Sequence, residues 1–244
     1  MQAVWITRSA GADIARRGVI VFAAGWAGSD ELVRHLALPE DCDLLCLFDY
    51  QALPSPEETA GLYSQITPYL HKHLIAWSFG VWAATEIFGA CLFDRPGFWD
   101  TATAVNGTPI PISDVYGIPE RAFAVTVRNI GGAGTAKFLE RMCGTPEILR
   151  EYYKHRSTRS LEEIYDELIQ LRRQALDRLP DKPEPARSFW TAAVVGGKDA
   201  IFPPGNMSAY WREAGVPIIF VEDMPHYPLF RTDILTSLTT DEAR

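Results

Sequence analysis

Ser78 stands in the string Ala76-Trp77-Ser78-Phe79-Gly80, with a small residue two positions before it and a glycine two positions after. That spacing predicts a tight strand-to-helix turn that lifts the hydroxyl above a sheet as a nucleophile. The flanking positions lie so close in such a turn that large side chains would collide. Gly80 meets the demand, and Ala76, where glycine is more usual, nearly does. A serine hydroxyl attacks only when a base takes its proton and an acid orients that base. Five histidines are available: His35, His71, His73, His155 and His226. His71 and His73 precede the expected strand and fall at its far end, His35 lies in an early helix, and His155 lies in a later helical region. His226, in Asp223-Met224-Pro225-His226-Tyr227-Pro228, follows the last expected strand. Loops in that position gather over the carboxyl edge of a parallel sheet. The acid is expected between serine and histidine in chain order. Asp199, beyond Gly196-Gly197 at a strand tip, fits; Asp223 is its competitor, placed three residues before His226 where it is better suited to capping that loop. The oxyanion needs two donors set in place beforehand. The backbone N–H of Phe79, next to the nucleophile, is one. The N–H of Trp26, in Ala24-Gly25-Trp26-Ala27-Gly28 after an early strand, is the other.

The elements needed to bring these residues together are visible as alternating apolar runs and helical patterns, which predict a mostly parallel sheet with helices on both faces. Strands are expected at residues 4–7, 19–23, 44–48, 74–76, 102–105, 191–195 and 218–221, and helices at 30–36, 57–70, 79–89, 206–214 and 229–238. Ser29 and Pro204 read as helix-start signals. Between about 107 and 190 the alternation stops. This stretch carries helical periodicity, with Leu161, Ile164, Leu168 and Leu171 on one face, a second helix suggested by Met142, Leu149, Tyr152 and Tyr153, and one short strand-like run at 123–127. The expected organisation is therefore a core of residues 1–112 and 188–244 with a helical lid of 113–187 inserted, the proline-rich stretch 180–185 returning the chain to the sheet.

Composition bounds the rest. A chain of 244 residues, 47% hydrophobic and 22% charged, is the size and make-up of one α/β domain. No apolar run approaches the ~20 residues of a bilayer span, and no signal peptide is visible at the start. Cys42, Cys46, Cys91 and Cys143 form no CxxC pair, so no metal site is expected and a reduced, cytoplasmic setting is. A net charge of −8 argues against nucleic acid. That charge is uneven: residues 121–187 carry +3 and the remainder −11. A basic segment on an acidic body is a candidate docking surface for an acidic partner.

Together these segments resemble the BioG-type pimeloyl-acyl-carrier-protein methyl ester esterases of biotin synthesis, in the α/β-hydrolase superfamily. The resemblance rests on Phe22-Ala23-Ala24-Gly25-Trp26, Phe48-Asp49-Tyr50, Ala76 through Ala84, and Ala104-Val105-Asn106-Gly107-Thr108-Pro109. It continues in Pro111-Ile112-Ser113-Asp114, Gly117-Ile118-Pro119, Phe138-Leu139-Glu140-Arg141-Met142-Cys143-Gly144 and Ile201-Phe202-Pro203-Pro204. It implies Ser78 as nucleophile, Asp199 as acid and His226 as base, with oxyanion donors at Trp26 and Phe79. It also implies a lid that recognises an acyl chain bound to an acyl carrier protein, and no metal or organic cofactor. Within the basic segment, Arg141, Arg150, Lys154, Arg156 and Arg159 are the expected carrier contacts. The alternatives are an acyl-carrier thioesterase or general short-chain carboxylesterase with the same residues, and a non-catalytic protein of this fold that binds an acyl group or a partner.

Overall fold

The computed structural model describes residues 1–9, 11–92, 97–178 and 188–228. Strands β1 (Gln2–Thr7), β2 (Gly18–Ala23), β3 (Cys42–Phe48), β4 (His71–Trp77), β5 (Thr101–Val105), β6 (Ala192–Gly196) and β7 (Ile218–Val221) form one sheet in the order β1-β3-β2-β4-β5-β6-β7. Only β1 runs antiparallel to its neighbour among the described strands; all other pairs are parallel. The central strands read as unbroken apolar runs because helices cover both faces. Successive residues alternate between two cores, as the two-residue period of a strand requires. Val19, Val21, Leu45, Leu47, Leu74 and Ala76 enter one; Ile20, Phe22, Leu44, Cys46, Ile75 and Trp77 enter the other.

The helices are α1 (Glu31–Arg34), α2 (Pro56–Ile66), α3 (Phe79–Leu92), α4 (Glu120–Asn129), α5 (Ala133–Cys143), α6 (Pro146–His155), α7 (Leu161–Arg178) and α8 (Pro204–Glu213). Several differ from the sequence expectation for local reasons. α1 is a single turn, because the N–H of Leu36 reaches back three residues to Val33 and tightens the chain out of the helix. The hydroxyl of Ser29 bonds the Glu31 carboxylate and caps nothing. α2 starts on a capping box of Ser55 and Glu58 and stops at Ile66, since Pro68 cannot continue it. The run 123–127 is no strand: it lies in α4, where Phe123 is buried and Val127, one turn on, packs on the same core. The single helix expected around Met142–Tyr153 is two, broken at Gly144 (φ +73°) and restarted by the side chain of Thr145, which accepts the N–H of Ile148. The expected helix 229–238 and the proline-rich stretch 180–185 lie outside the described residues.

Helices α4 to α7 all fall between β5 and β6 in the chain. α5 and α6 pack on each other and send Met142, Cys143 and Tyr152 into the core shared with Trp77 and Tyr227. Leu168, Leu171 and Ala175 anchor α7 in the opposite core, while Leu161 at its start remains exposed.

Candidate active site

Ser78 follows β4 directly and precedes α3, and its backbone takes φ +60°, a region a side chain rarely adopts. The sharpness of this turn explains the flanking small residues. A Cβ at Gly80 would lie 2.2 Å from the carbonyl oxygen of Ala23, and one at Gly25 only 3.0 Å from the Cβ of Ser78. The strain is held by a hydrogen bond from the Ser78 N–H to Val105 at 2.9 Å and by the burial of the surrounding strands.

The other two expected residues meet this serine. His226 Nε2 lies 3.0 Å from Ser78 Oγ, and His226 Nδ1 lies 2.7 Å from Asp199 Oδ2. All three are buried. Asp199 is fixed by its other oxygen, which accepts the N–H groups of Ile201 and Phe202, both at 2.8 Å. With Nδ1–H given to the carboxylate, Nε2 is left as the acceptor that can take a serine proton. Asp223 is elsewhere: its carboxylate is largely exposed and pairs with Lys198 at 2.5 Å. The remaining histidines also stand apart, His71 beside Asp100, His73 on Thr101, and His35 stacked on His155.

Residues that sequence reasoning overlooked hold the histidine loop. Asn106, wholly buried with φ +47°, donates to the carbonyls of Pro225 and His226 at 2.8 and 2.9 Å and accepts the N–H of Gly196. Trp77 Nε1 donates to the His226 carbonyl at 2.9 Å. The ring of Phe202 lies parallel to the imidazole, centroids 5.8 Å apart. An Asn-Gly pair at the end of a central strand was the available signal, though such a pair reads equally as a turn.

Gly25 to Gly28 form a tight turn closed by the Gly28 N–H on the Gly25 carbonyl at 3.0 Å. Its third residue, Ala27, sits at φ +61°, where glycine is normally found. Among the described residues neither the N–H of Trp26 nor that of Phe79 meets an acceptor. Both residues border the same pocket as Ser78 and His226. Its wall is apolar, with Ile118 and Phe123 from one side, Phe138 and Met142 from α5, and Leu168 from α7; Arg141 adds a cation. Thiol chemistry is not prepared here. Burial pushes Cys42 up to about 11 and Cys143 up to about 12, so both stay protonated. Among the described residues no cluster of His, Cys, Asp or Glu is gathered as a metal ion requires, and no helix is long and apolar enough to cross a membrane.

The expected docking cations divide. Arg150 and Lys154 are exposed and pair with Glu147 and Glu151 on their own helix, and Arg156 lies over the ring of Tyr153. Arg159 is a correction. Its side chain is only 10% exposed and is spent on Asp49 at 2.9 Å and Glu167 at 2.7 Å, so it offers nothing to a partner. A lone basic residue between helices reads as solvated, and nothing near it in sequence announces the buried acids that claim it.

Residues 11–232 match the family model of the pimeloyl-ACP methyl esterase BioG. The chain belongs to the BioG family. It is similar to the crystal structure of BioG from Haemophilus influenzae, with 30% identity and a TM-score of 0.76, over 100% of this chain and 99% of that one. It is also 34% identical over 204 residues to a Bacteroides fragilis protein described as a malonyl-acyl-carrier-protein O-methyltransferase. The match covers 84% of this chain and 38% of that longer protein. An enol-lactonase of Burkholderia xenovorans shares the fold alone, at 16% identity and a TM-score of 0.59, over 91% of this chain and 87% of that one. The molecule has the α/β-hydrolase fold.

Proposed function

We propose that this chain hydrolyses the methyl ester at the distal end of a pimeloyl group carried by an acyl carrier protein, with Ser78 as nucleophile. The observation that supports this most is the continuous hydrogen-bonded line Ser78–His226–Asp199 at the base of an apolar pocket. In this mechanism Ser78 Oγ attacks the ester carbonyl while His226 Nε2 takes its proton. The N–H groups of Trp26 and Phe79 receive the oxyanion. His226 returns the proton to the departing methanol, leaving an acyl-serine. Water, deprotonated by the same imidazole, then frees the carboxylate and restores the serine.

The methyl ester is chemically the harder target, since the thioester joining the acyl chain to the carrier is more reactive. Position must therefore decide. We take residues 113–187 as a lid whose apolar wall receives the methylene chain while the carrier stays outside, so that only the distal ester reaches Ser78. Arg141 borders the pocket and is exposed, which suits it to the carrier side of the entrance. The Bacteroides fragilis relative supports the substrate class from the other direction, because the reaction in its name places a methyl group on a carrier-bound diacid. Most of that protein lies outside the matched stretch, and the serine–histidine–acid line of this chain suits ester hydrolysis rather than methyl transfer. The proposal keeps the cytoplasmic setting read from the sequence.

Two measurements test it. Treatment with a fluorophosphonate should label Ser78, identified by peptide mapping, and absence of labelling would remove the serine mechanism. Release of methanol, and not of carrier thiol, from the carrier-bound methyl ester separates this reading from a thioesterase.

A further inference from the structure

The start of α7 is tied to the oxyanion turn by polar contacts that pocket lining does not require. Ile164 accepts the indole N–H of Trp26 at 2.7 Å. Glu167 accepts the N–H of Ala27 at 3.2 Å and, through its other oxygen, the N–H of Tyr50 at 2.8 Å. Arg159 donates at 2.7 Å to the Glu167 oxygen that takes the Ala27 N–H, donates to the Gly28 carbonyl at 3.3 Å, and reaches Asp49 at 2.9 Å. Glu167 has no exposed surface. Burial raises its carboxyl above the ordinary value, and Arg159 and the two N–H groups only partly offset this.

Two of the four non-glycine residues with positive φ among the described residues, Ala27 at +61° and Asp49 at +58°, lie where this pair holds them. Strained backbone of this kind persists only when its surroundings over-determine it. A buried ion pair is a poor way merely to attach a helix, because apolar side chains of similar volume do so at no desolvation cost. Here the pair supplies what apolar groups cannot: an acceptor for the Ala27 N–H and a donor for the Gly28 carbonyl, one on each side of the peptide that follows Ala27.

We propose that Glu167, aligned by Arg159, is a positioning residue that fixes the Trp26 N–H as an oxyanion donor, making the start of α7 a rigid part of the catalytic site. This inference rests on the serine-esterase reading above. Glu167 itself touches no reacting atom. Any lid movement that admits substrate must then come from α4 and α5, because lifting α7 would release the turn.

The test uses p-nitrophenyl acetate, which needs no carrier, with wild type, Ser78→Ala, Glu167→Gln and Trp26→Phe. The last removes the indole N–H but keeps a ring against Phe138, 5.1 Å away between centroids. Each variant is also titrated with an alkyl trifluoromethyl ketone, whose adduct places an oxyanion in the hole, and with hexanoate, which fills only the pocket. In both Glu167→Gln and Trp26→Phe, kcat should fall about 10- to 100-fold, less than outright loss of a donor. KM should stay within about twofold, ketone affinity should fall by the same factor as kcat, and hexanoate affinity should hold. Unchanged kcat in folded Glu167→Gln overturns the proposal, as does equal weakening of ketone and hexanoate, which would mean a damaged pocket. If Glu167→Gln does not fold, Trp26→Phe decides by the same readouts. Wild type no faster than Ser78→Ala would instead refute the serine-esterase reading, and this proposal falls with it.

Discussion

That Ser78, His226 and Asp199 come together was legible from residue type and chain order, because residues that each follow a strand of a parallel sheet gather at one sheet edge. Asn106 and Glu167 were not, because their value lies in backbone groups distant in sequence that no local pattern names. Ser78→Ala should reduce ester hydrolysis by about 10⁴-fold or more with the fold intact. Asp199→Asn should cost about 10⁴-fold, since the imidazole loses the charge that orients it. Asp223→Asn should be nearly silent, because that carboxylate is exposed and meets only Lys198. A larger loss at Asp223 than at Asp199 in steady-state assays would reverse the assignment. Asn106→Ala removes three buried hydrogen bonds around the histidine loop and should cost about 3 kcal/mol of stability as well as activity, read by urea unfolding and initial rates.

Strands survived the passage from sequence to structure better than helix ends did. Apolar runs buried on both faces leave little choice, whereas helix limits were set by Pro68, by Gly144 and by a three-residue back-bond at Leu36. The five-residue run 123–127 was ambiguous in period, and packing of Phe123 and Val127 one helical turn apart decided it. One buried carboxylate ties the early elements together at the amino end of β3. Asp43 accepts the Ser9 N–H at 2.9 Å, the Tyr69 hydroxyl at 2.7 Å and the Arg17 guanidinium at 3.1 Å. Burial alone would raise its pKa, but these donors outweigh burial and hold it below the ordinary 3.8. The folded state therefore favours the ionised form. The resulting stability is present above the ordinary carboxylate range and is lost as pH falls through the lowered value. Asp43→Asn should lower stability near neutral pH by about 2–3 kcal/mol. It should also flatten the loss of stability on acidification below about pH 4. Parallel acid-unfolding curves for the two proteins would contradict this.

Taken whole, the molecule is acidic at −8, with residues 121–187 carrying +3 and the remainder −11. An acidic carrier would be repelled by the body and drawn to that segment. Arg159 no longer belongs to that surface, so the informative reversal is Arg141, Arg150 and Lys154 together to Glu. It should raise KM for the carrier-bound ester several-fold and leave p-nitrophenyl acetate hydrolysis unchanged, with added salt weakening the carrier reaction alone. Loss on both substrates would indicate damage to the pocket rather than to a docking surface. A carrier effect seen only on reversing Arg121, Arg128 and Arg173, which border a groove between α4 and α7, would move the docking face there. The most direct measurement is intact-mass analysis of pimeloyl-carrier methyl ester after incubation with the wild type and with Ser78→Ala. The wild type should remove one methylene unit from the carrier's mass and leave the thioester whole, while Ser78→Ala leaves the mass unchanged. Loss of the entire acyl group, or demethylation that persists without the Ser78 hydroxyl, would contradict a serine esterase directed at the distal methyl ester.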